Sequence, residues 1–260
     1  MLVIKNIHKS FGGIRALDGV SLEVDKGSIV GLVGPNGSGK TTLFNIVSGF
    51  YKADSGEIFF RDENISALPP YEVARRGLVR SFQISKAPNR MTVLENMLFA
   101  CDQQTGESVL GSLFRRNQIM AQEKTQIEQA LSLLELTGLT ALANEYSGTL
   151  SGGQRKLLAL SRILMRNPDL VLLDEPAAGV NPTLILKLME FIKEIQTKHG
   201  KTFLIVEHNM NFISSVCNRV CVLDAGLKIA EGSPEEIQKN DVVLEAYLGG
   251  REKGRKGAKQ

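Results

Sequence analysis

The stretch SIVGLVGPNGSGKTTLF, residues 28 to 44, decides how the rest of the chain is read. It opens as an apolar run, Ile29 to Val33, of the kind that forms a strand buried on both faces. Three glycines then fall within six residues, at Gly34, Gly37 and Gly39. Beyond them KTTLFNIVSGF places Leu43, Ile46 and Val47 at helical spacing and stops near Gly49. Strand, glycine loop and helix follow in the order that the pattern G-x-x-x-x-G-K-[ST] requires. A loop of Gly34, Pro35, Asn36, Gly37, Ser38 and Gly39 can wrap phosphate oxygens with its backbone N–H groups. Lys40 can then reach the β and γ phosphates, and the Thr41 hydroxyl can ligate Mg²⁺, with Thr42 beside it. A glycine turn with a surface lysine would need neither the buried strand nor the helix.

Two further apolar runs end in charged residues. DLVLLDE (169 to 175) closes on Asp174 and Glu175, and TFLIVEH (202 to 208) closes on His208. Such runs suit neighbouring parallel strands, joined here by the helical stretch LILKLMEFIKEIQ as a crossover. Side chains at the carboxyl ends of parallel strands line the ligand crevice of an α/β sheet. Asp174 can hold Mg²⁺ directly or through water. Glu175 can polarise an attacking water, and His208 can hydrogen-bond the γ-phosphate. Alone, an apolar run ending in two acids is an ordinary solvated strand end; downstream of a phosphate loop it is a catalytic edge.

Outward from these runs the chain divides. VSLEV (20 to 24) alternates and SGEIFF (55 to 60) follows a turn, so the first sixty residues read as strands. From Thr92 to about Arg166 the period is helical, with Ile127, Leu131 and Leu134 on one face. Residues 102 to 118 are polar, contain glycine and read as a loop or short insertion. RVCVLDAGLKIAEG (219 to 232) reads as a closing hairpin and PEEIQKNDVVLEAYL as a final helix. The fold class is therefore α/β, a parallel core interrupted by a helical insertion. Gln83, in VRSFQISK, stands where core meets insertion and can reach Mg²⁺ or the water when the insertion swings in.

Composition excludes other classes. The 260 residues are 43% apolar and 23% charged, enough to bury one large domain. A net charge of +3 is too small to argue for a nucleic-acid partner. No apolar run has the length of a membrane span, and the start has no secretory layout, so a cytoplasmic chain is expected. Cys101, Cys217 and Cys221 lack zinc-type spacing, and Cys217 and Cys221 are expected to fill the core. REKGRKGAKQ, 251 to 260, reads as a flexible basic tail.

One stretch asks for more. TLSGGQRKLLAL, 149 to 160, puts Ser151, Gly152, Gly153 and Gln154 at a helix start, a second phosphate cradle without a lysine. Such a cradle can complete a γ-phosphate site whose other half comes from another loop. If it cannot close on its own chain's nucleotide, it can close on that of a second chain.

With these motifs in this order, the chain resembles the ABC-type ATPases, and LSGGQ (150 to 154) is that family's signature. AAGVNP (177 to 182) is similar to the family's D-loop, with Asn181 where many members carry Asp. Phe11 falls where the family sets an aromatic ring, commonly Tyr, against adenine. SGFYKADSG, ARRGLVRSFQ, MTVLENMLFA and the ending EGSPEEIQKNDVVLEAYLGG resemble the LivG type, the ATPase subunits of branched-chain amino acid importers. Urea importers and lipopolysaccharide exporters use close relatives and stay as alternatives.

The resemblance implies a phosphate-loop, RecA-like core with a parallel sheet, an N-terminal antiparallel β subdomain and an inserted α-helical subdomain. It implies one domain over 1–250, with core 1–83 and 163–250 and insertion about 84–162. It implies ATP and Mg²⁺ as cofactors and Mg²⁺-dependent ATP hydrolysis coupled to transport. Thr41, Asp174 and Gln83 would hold the metal; Glu175, His208 and Gln83 would be catalytic. The implied partners are two transmembrane permease subunits, a substrate-binding protein, and a second ATPase subunit of LivF type or a second copy in an ATP sandwich. The implied location is the cytoplasmic face of the membrane. A soluble non-transport ABC ATPase would carry tandem cassettes or coiled-coil arms, and a guanine reader of N-K-x-D form does not occur.

Overall fold

In the computed structural model of the chain, which describes residues 1–81, 87–101 and 116–256, the apolar runs become strands of one sheet. The strands are β1 (Leu2–Phe11), β2 (Ile14–Val24), β3 (Ile29–Val33), β4 (Ser55–Phe60), β5 (Glu63–Asn64), β6 (Leu78–Arg80), β7 (Leu170–Asp174), β8 (Thr202–Val206), β9 (Arg219–Asp224) and β10 (Leu227–Gly232). The larger sheet runs β10-β9-β3-β8-β7-β6, parallel throughout except for the closing β9–β10 hairpin. Every residue of β3 and β8 is buried, as strands covered on both faces require. A second sheet, β2-β1-β4-β5, is antiparallel. Leu2, Ile4 and Ile58 of this sheet share one core with Leu43 and Phe44 of the helix Lys40–Val47 and with Leu172 of β7.

The chain forms two compact units. The first is Met1–Arg80, Asp169–Ala177 and Ile192–Gln260, and it holds both sheets. The second is Ser81–Pro168 and Ala178–Phe191. These limits differ from those expected, because the whole helix Gly152–Met165 packs with Val93–Leu98 and Arg116–Thr137 in the second unit. Thr92 starts Val93–Leu98 with a capping box, accepting from the Glu95 N–H while the Glu95 carboxylate accepts from the Thr92 N–H.

Four local expectations need correction. The buried face of Arg116–Thr137 is Ala130, Leu133, Leu134 and Thr137, whereas Ile127 and Leu131 are both 37% exposed. Leu134 is buried as expected, but the stripe turns away from Ile127 and Leu131 toward Ala130, Leu133 and Thr137. Residues 116–118, expected in a loop, belong to this helix; 102–115 lie outside the described residues. The expected single final helix is two, Pro234–Gln238 and Asp241–Lys256. Asn240 divides them by accepting from the Val242 and Val243 N–H groups, a competing local bond that restarts the helix. The second of these helices runs past residue 250 into the segment expected as a tail.

The thiols of Cys217 and Cys221 are buried, and that burial pushes both up to about 12. They fill the core as expected and stay protonated at neutral pH.

The corrected helix face gives a direct test. Leu134→Ala should cost roughly 2–5 kcal/mol, and Leu131→Ala no more than about 1 kcal/mol. Urea unfolding of the two variants measures this; the reverse order would restore the face centred on Leu131.

Candidate functional site

Register places the functional ends together. Leu32 of β3 and Asp174 of β7 are both paired with Val206 of β8, so the three strands finish at one edge. Gly34, Glu175 and Glu207–His208 leave the sheet there. The phosphate loop starts from Gly34 at φ 149°, where a Cβ would come within 2.0 Å of the Leu223 carbonyl oxygen and 2.8 Å of Ser38 Oγ. Only glycine fits so close to another backbone. The loop is also tied to the β9–β10 turn, since the Gly226 N–H donates to the Ser38 carbonyl and the Gly226 carbonyl accepts from the Asp18 N–H.

Lys40, the first residue of the helix, is buried and curls back over this loop. Its ammonium donates to the carbonyls of Gly34 (2.9 Å) and Pro35 (2.8 Å) and to Ser38 Oγ (3.3 Å). Burial draws its pKa below the ordinary lysine value, while the charges of Glu175 and Asp174 pull it back up. Thr41 lies exposed in the first helical turn, with Thr42 half-buried after it.

Glu175 follows β7 in the left-handed region at φ 48°, uncommon for a residue with a side chain. Its N–H donates to the Val206 carbonyl, which fixes the turn. Glu175 Oε1 lies 3.0 Å from His208 Nε2, in a hydrogen bond that the sequence did not announce. Glu175 and His208 are 29% and 40% exposed, so the pair is open to a substrate water.

Two charged residues that sequence reasoning passed over hold this edge. Glu207 is 3% exposed, and its carboxylate accepts from three backbone N–H groups: Ala177 at 2.6 Å, His208 at 2.8 Å and Asn209 at 3.2 Å. It thus ties the segment after Glu175 to the segment carrying His208. The available signal was an acid placed directly after a fully buried strand, since a buried carboxylate needs donors. Arg80, at the end of β6, pairs with Asp174 at 2.7 Å. Its strand is three residues long, too short to show a period.

At the end of β1, Phe11 is 43% exposed, and the Tyr51 ring meets it edge-on with centroids 5.5 Å apart. Such a face can stack a flat base. Gln83, expected as a metal and catalytic residue, lies outside the described residues.

In the second unit Ser151 is the N-cap of Gly152–Met165. Ser151 Oγ accepts from the Gln154 N–H, and Gln154 Oε1 accepts from the Ser151 N–H, a complete capping box. A Cβ on Gly153 would meet Leu184 Cδ2 at 1.7 Å, whereas Gly152 faces open space. Asn181 caps Pro182–His199 by accepting from the Leu184 N–H at 2.9 Å, a role that Asn fills as well as Asp.

The family model of ABC transporters matches residues 17–178, and that of the branched-chain amino acid ATP-binding cassette transporters matches residues 228–253. The chain is 38% identical over 249 residues to the high-affinity branched-chain amino acid transport ATP-binding protein BraF of Pseudomonas aeruginosa, covering 96% of this chain and 98% of that protein. Among solved structures, it is similar to the ADP conformation of MJ1267, an ATP-binding cassette of an ABC transporter, with TM-score 0.81 and 39% identity over 96% of this chain and 98% of that one. It is also similar to the dimeric cassette MJ0796 bound to ADP and Pi, with TM-score 0.71 and 28% identity over 90% of this chain and 99% of that one.

The Glu207 clamp predicts a stability effect. Glu207→Gln replaces one accepting oxygen with an NH₂ group, leaving a buried donor unsatisfied at a cost of roughly 1–3 kcal/mol. Urea unfolding should show a lower midpoint; an unchanged midpoint would mean that the carboxylate is not the clamp.

Proposed function

The chain belongs to the ABC transporter ATP-binding family, and from that premise we propose that it is the ATP-hydrolysing subunit of an importer of branched-chain amino acids. The observation that carries the substrate class is the match of residues 228–253 to the branched-chain cassette model, because this segment lies outside the general ABC match. BraF supports the same reading. Among the described residues no helix is long and apolar enough to cross a membrane. The reading places the chain at the cytoplasmic face with two permease subunits, a substrate-binding protein, and a second cassette of LivF type or a second copy.

In this reading the loop Gly34–Gly39 and Lys40 bind the phosphates of ATP, and Phe11 stacks the adenine. The Thr41 hydroxyl and the Asp174 carboxylate are hard oxygen donors, which is what Mg²⁺ takes. These two would hold the ion, with Gln83 beside them. Bound there, Mg²⁺ would neutralise charge on the phosphate oxygens. Glu175 takes the proton of the attacking water, and His208, 3.0 Å from its carboxylate, holds that base in line and meets the γ-phosphate. Ser151, Gly152, Gly153 and Gln154 complete the site of the opposing cassette. The MJ0796 cassette is dimeric, which supports the pairing of two cassettes.

Two outcomes test it. Lys40→Ala should weaken ATP binding far more than adenosine binding, as equilibrium dialysis of both ligands would show; equal ATP binding by variant and wild type removes Lys40 from the site. Glu175→Gln should slow hydrolysis ~10²–10⁴-fold, so that ATP persists along with whatever it holds together. With the partner cassette present, light scattering should then find a dimer with ATP and monomers with ADP. Adding Ser151→Arg to this chain and the equivalent change to its partner should abolish the dimer and leave Lys40-dependent ATP binding intact. Monomers in both nucleotides would show that the two cradles are not shared.

A further inference from the structure

The helix that begins with Lys40 and Thr41 ends at Val47 with Ser48 as its cap, and Gly49 turns the chain away from it at φ 78°. A Cβ at Gly49 would meet the Leu68 carbonyl oxygen at 2.6 Å, so only glycine fits this turn. The Phe50 and Tyr51 N–H groups donate to the Asn45 carbonyl at 2.8 Å and 3.1 Å, which ties the departing segment to the helix. Residues 51 to 54 then meet the end of β1 residue by residue, from His8 to Phe11. The Asp54 N–H donates to the His8 carbonyl at 2.9 Å. The Asp54 carboxylate accepts from Lys9 Nζ at 2.7 Å and from the Ser10 N–H at 2.7 Å. The Tyr51 ring stands against the Phe11 ring at 67°. Lys9 Nζ, held by Asp54, lies over the same Phe11 ring, 5.3 Å from its centroid.

Resting on the reading of Phe11 as the platform for the base, we propose that Tyr51 is a positioning residue for the nucleobase, bracing the Phe11 ring from the segment that leaves the phosphate-binding helix. Phe11 needs such a brace. It sits at the tip of the β1–β2 hairpin, paired with Ile14 across Gly12 and Gly13, and it is 43% exposed. An exposed aromatic side chain at a hairpin tip is free to change rotamer, and ordering it when a base arrives costs affinity. An edge-to-face ring contact holds one orientation in advance. The Lys9 ammonium, kept over the ring by Asp54, adds a cation–π contact to the same end. Because the bracing segment starts from a fixed point on the helix, base platform and phosphate loop keep a set separation. The contact of Tyr51 is ring to ring, so its hydroxyl is not needed for it.

The test uses the full chain and two ligands that it does not consume, ADP and inorganic pyrophosphate, each titrated by calorimetry. Tyr51→Ala should weaken ADP binding roughly two- to tenfold, the scale of one aromatic pair, and leave pyrophosphate binding unchanged. Tyr51→Phe keeps the ring and should bind both ligands like wild type. In a Phe11→Ala background, Tyr51→Ala should cost nothing more, because a brace has no effect without the ring that it holds. Wild-type ADP binding by Tyr51→Ala, or an equal loss for ADP and pyrophosphate, would reduce Tyr51 to surface packing. Additive losses in the double variant would mean that Tyr51 meets the base itself, which also overturns the positioning role. Phe11→Ala alone separates the two layers. If it binds ADP like wild type, the base-platform reading fails; if it weakens ADP binding while Tyr51→Ala does not, only the inference about Tyr51 fails.

Discussion

The site depends on one alignment. Because β3 and β7 flank β8 in parallel and in register, Gly34, Glu175 and His208 leave the sheet at the same edge. A slip of one residue would turn each strand's side chains over. In β3 and β8 every residue is buried, so hydrophobicity alone cannot choose between two such registers. Fixed side-chain contacts beside the strands can. Thr202 Oγ1 accepts from the Gly27 N–H, and Asn218 Oδ1 accepts from the Ile29 N–H, pinning the amino-terminal side of β3 to its two neighbours.

At the opposite edge the constraint is electrostatic. Lys40, Asp174 and Glu207 are buried or nearly so, and Arg80 joins them, so four ionisable groups sit where apolar strands end. Each is tolerable because it is hydrogen-bonded: Lys40 to its own loop, Asp174 to Arg80, Glu207 to three N–H groups. Glu175 and His208 are the exposed members. Under the proposed function this division has a reason: groups that fix the edge are buried and held from several sides, while the pair proposed to meet water keeps open faces.

Much of this was legible because the decisive signals were local. The phosphate loop is contiguous, and the three strands beside it are unbroken apolar runs, so their type and order could be read without a partner. The signature's serine and Gln154 formed the capping box that their spacing allows. What stayed hidden depends on groups distant in sequence. Arg80 acquires its role from Asp174, 94 residues away, and Glu207 from Ala177, 30 residues away. The helix Arg116–Thr137 was misaligned for a different reason. Helical spacing put Ile127, Leu131 and Leu134 on one face, and only Leu134 is buried, because the inner stripe runs through Ala130, Leu133 and Thr137 instead. The break at Asn240 was missed because an N-cap interrupts an apolar pattern without changing it.

The missing lysine of the second cradle then has a physical reading under the proposed shared site. Ser151 Oγ already accepts from Gln154, so its hydrogen is left to donate, and the box turns the helix start into a face of donors without net charge. An anion at such an exposed helix end gains about 0.3–1 kcal/mol from the dipole, far less than a charge-assisted contact network would supply. A lysine there would hold ADP's terminal phosphate nearly as firmly as that of ATP, and the interface would not open after hydrolysis. With Lys40 on one side and the neutral Ser151 cradle on the other, grip on the nucleotide and sensitivity to its γ-phosphate are assigned to different chains. Nucleotide can then stay on its own loop while the contact across the interface is made and lost.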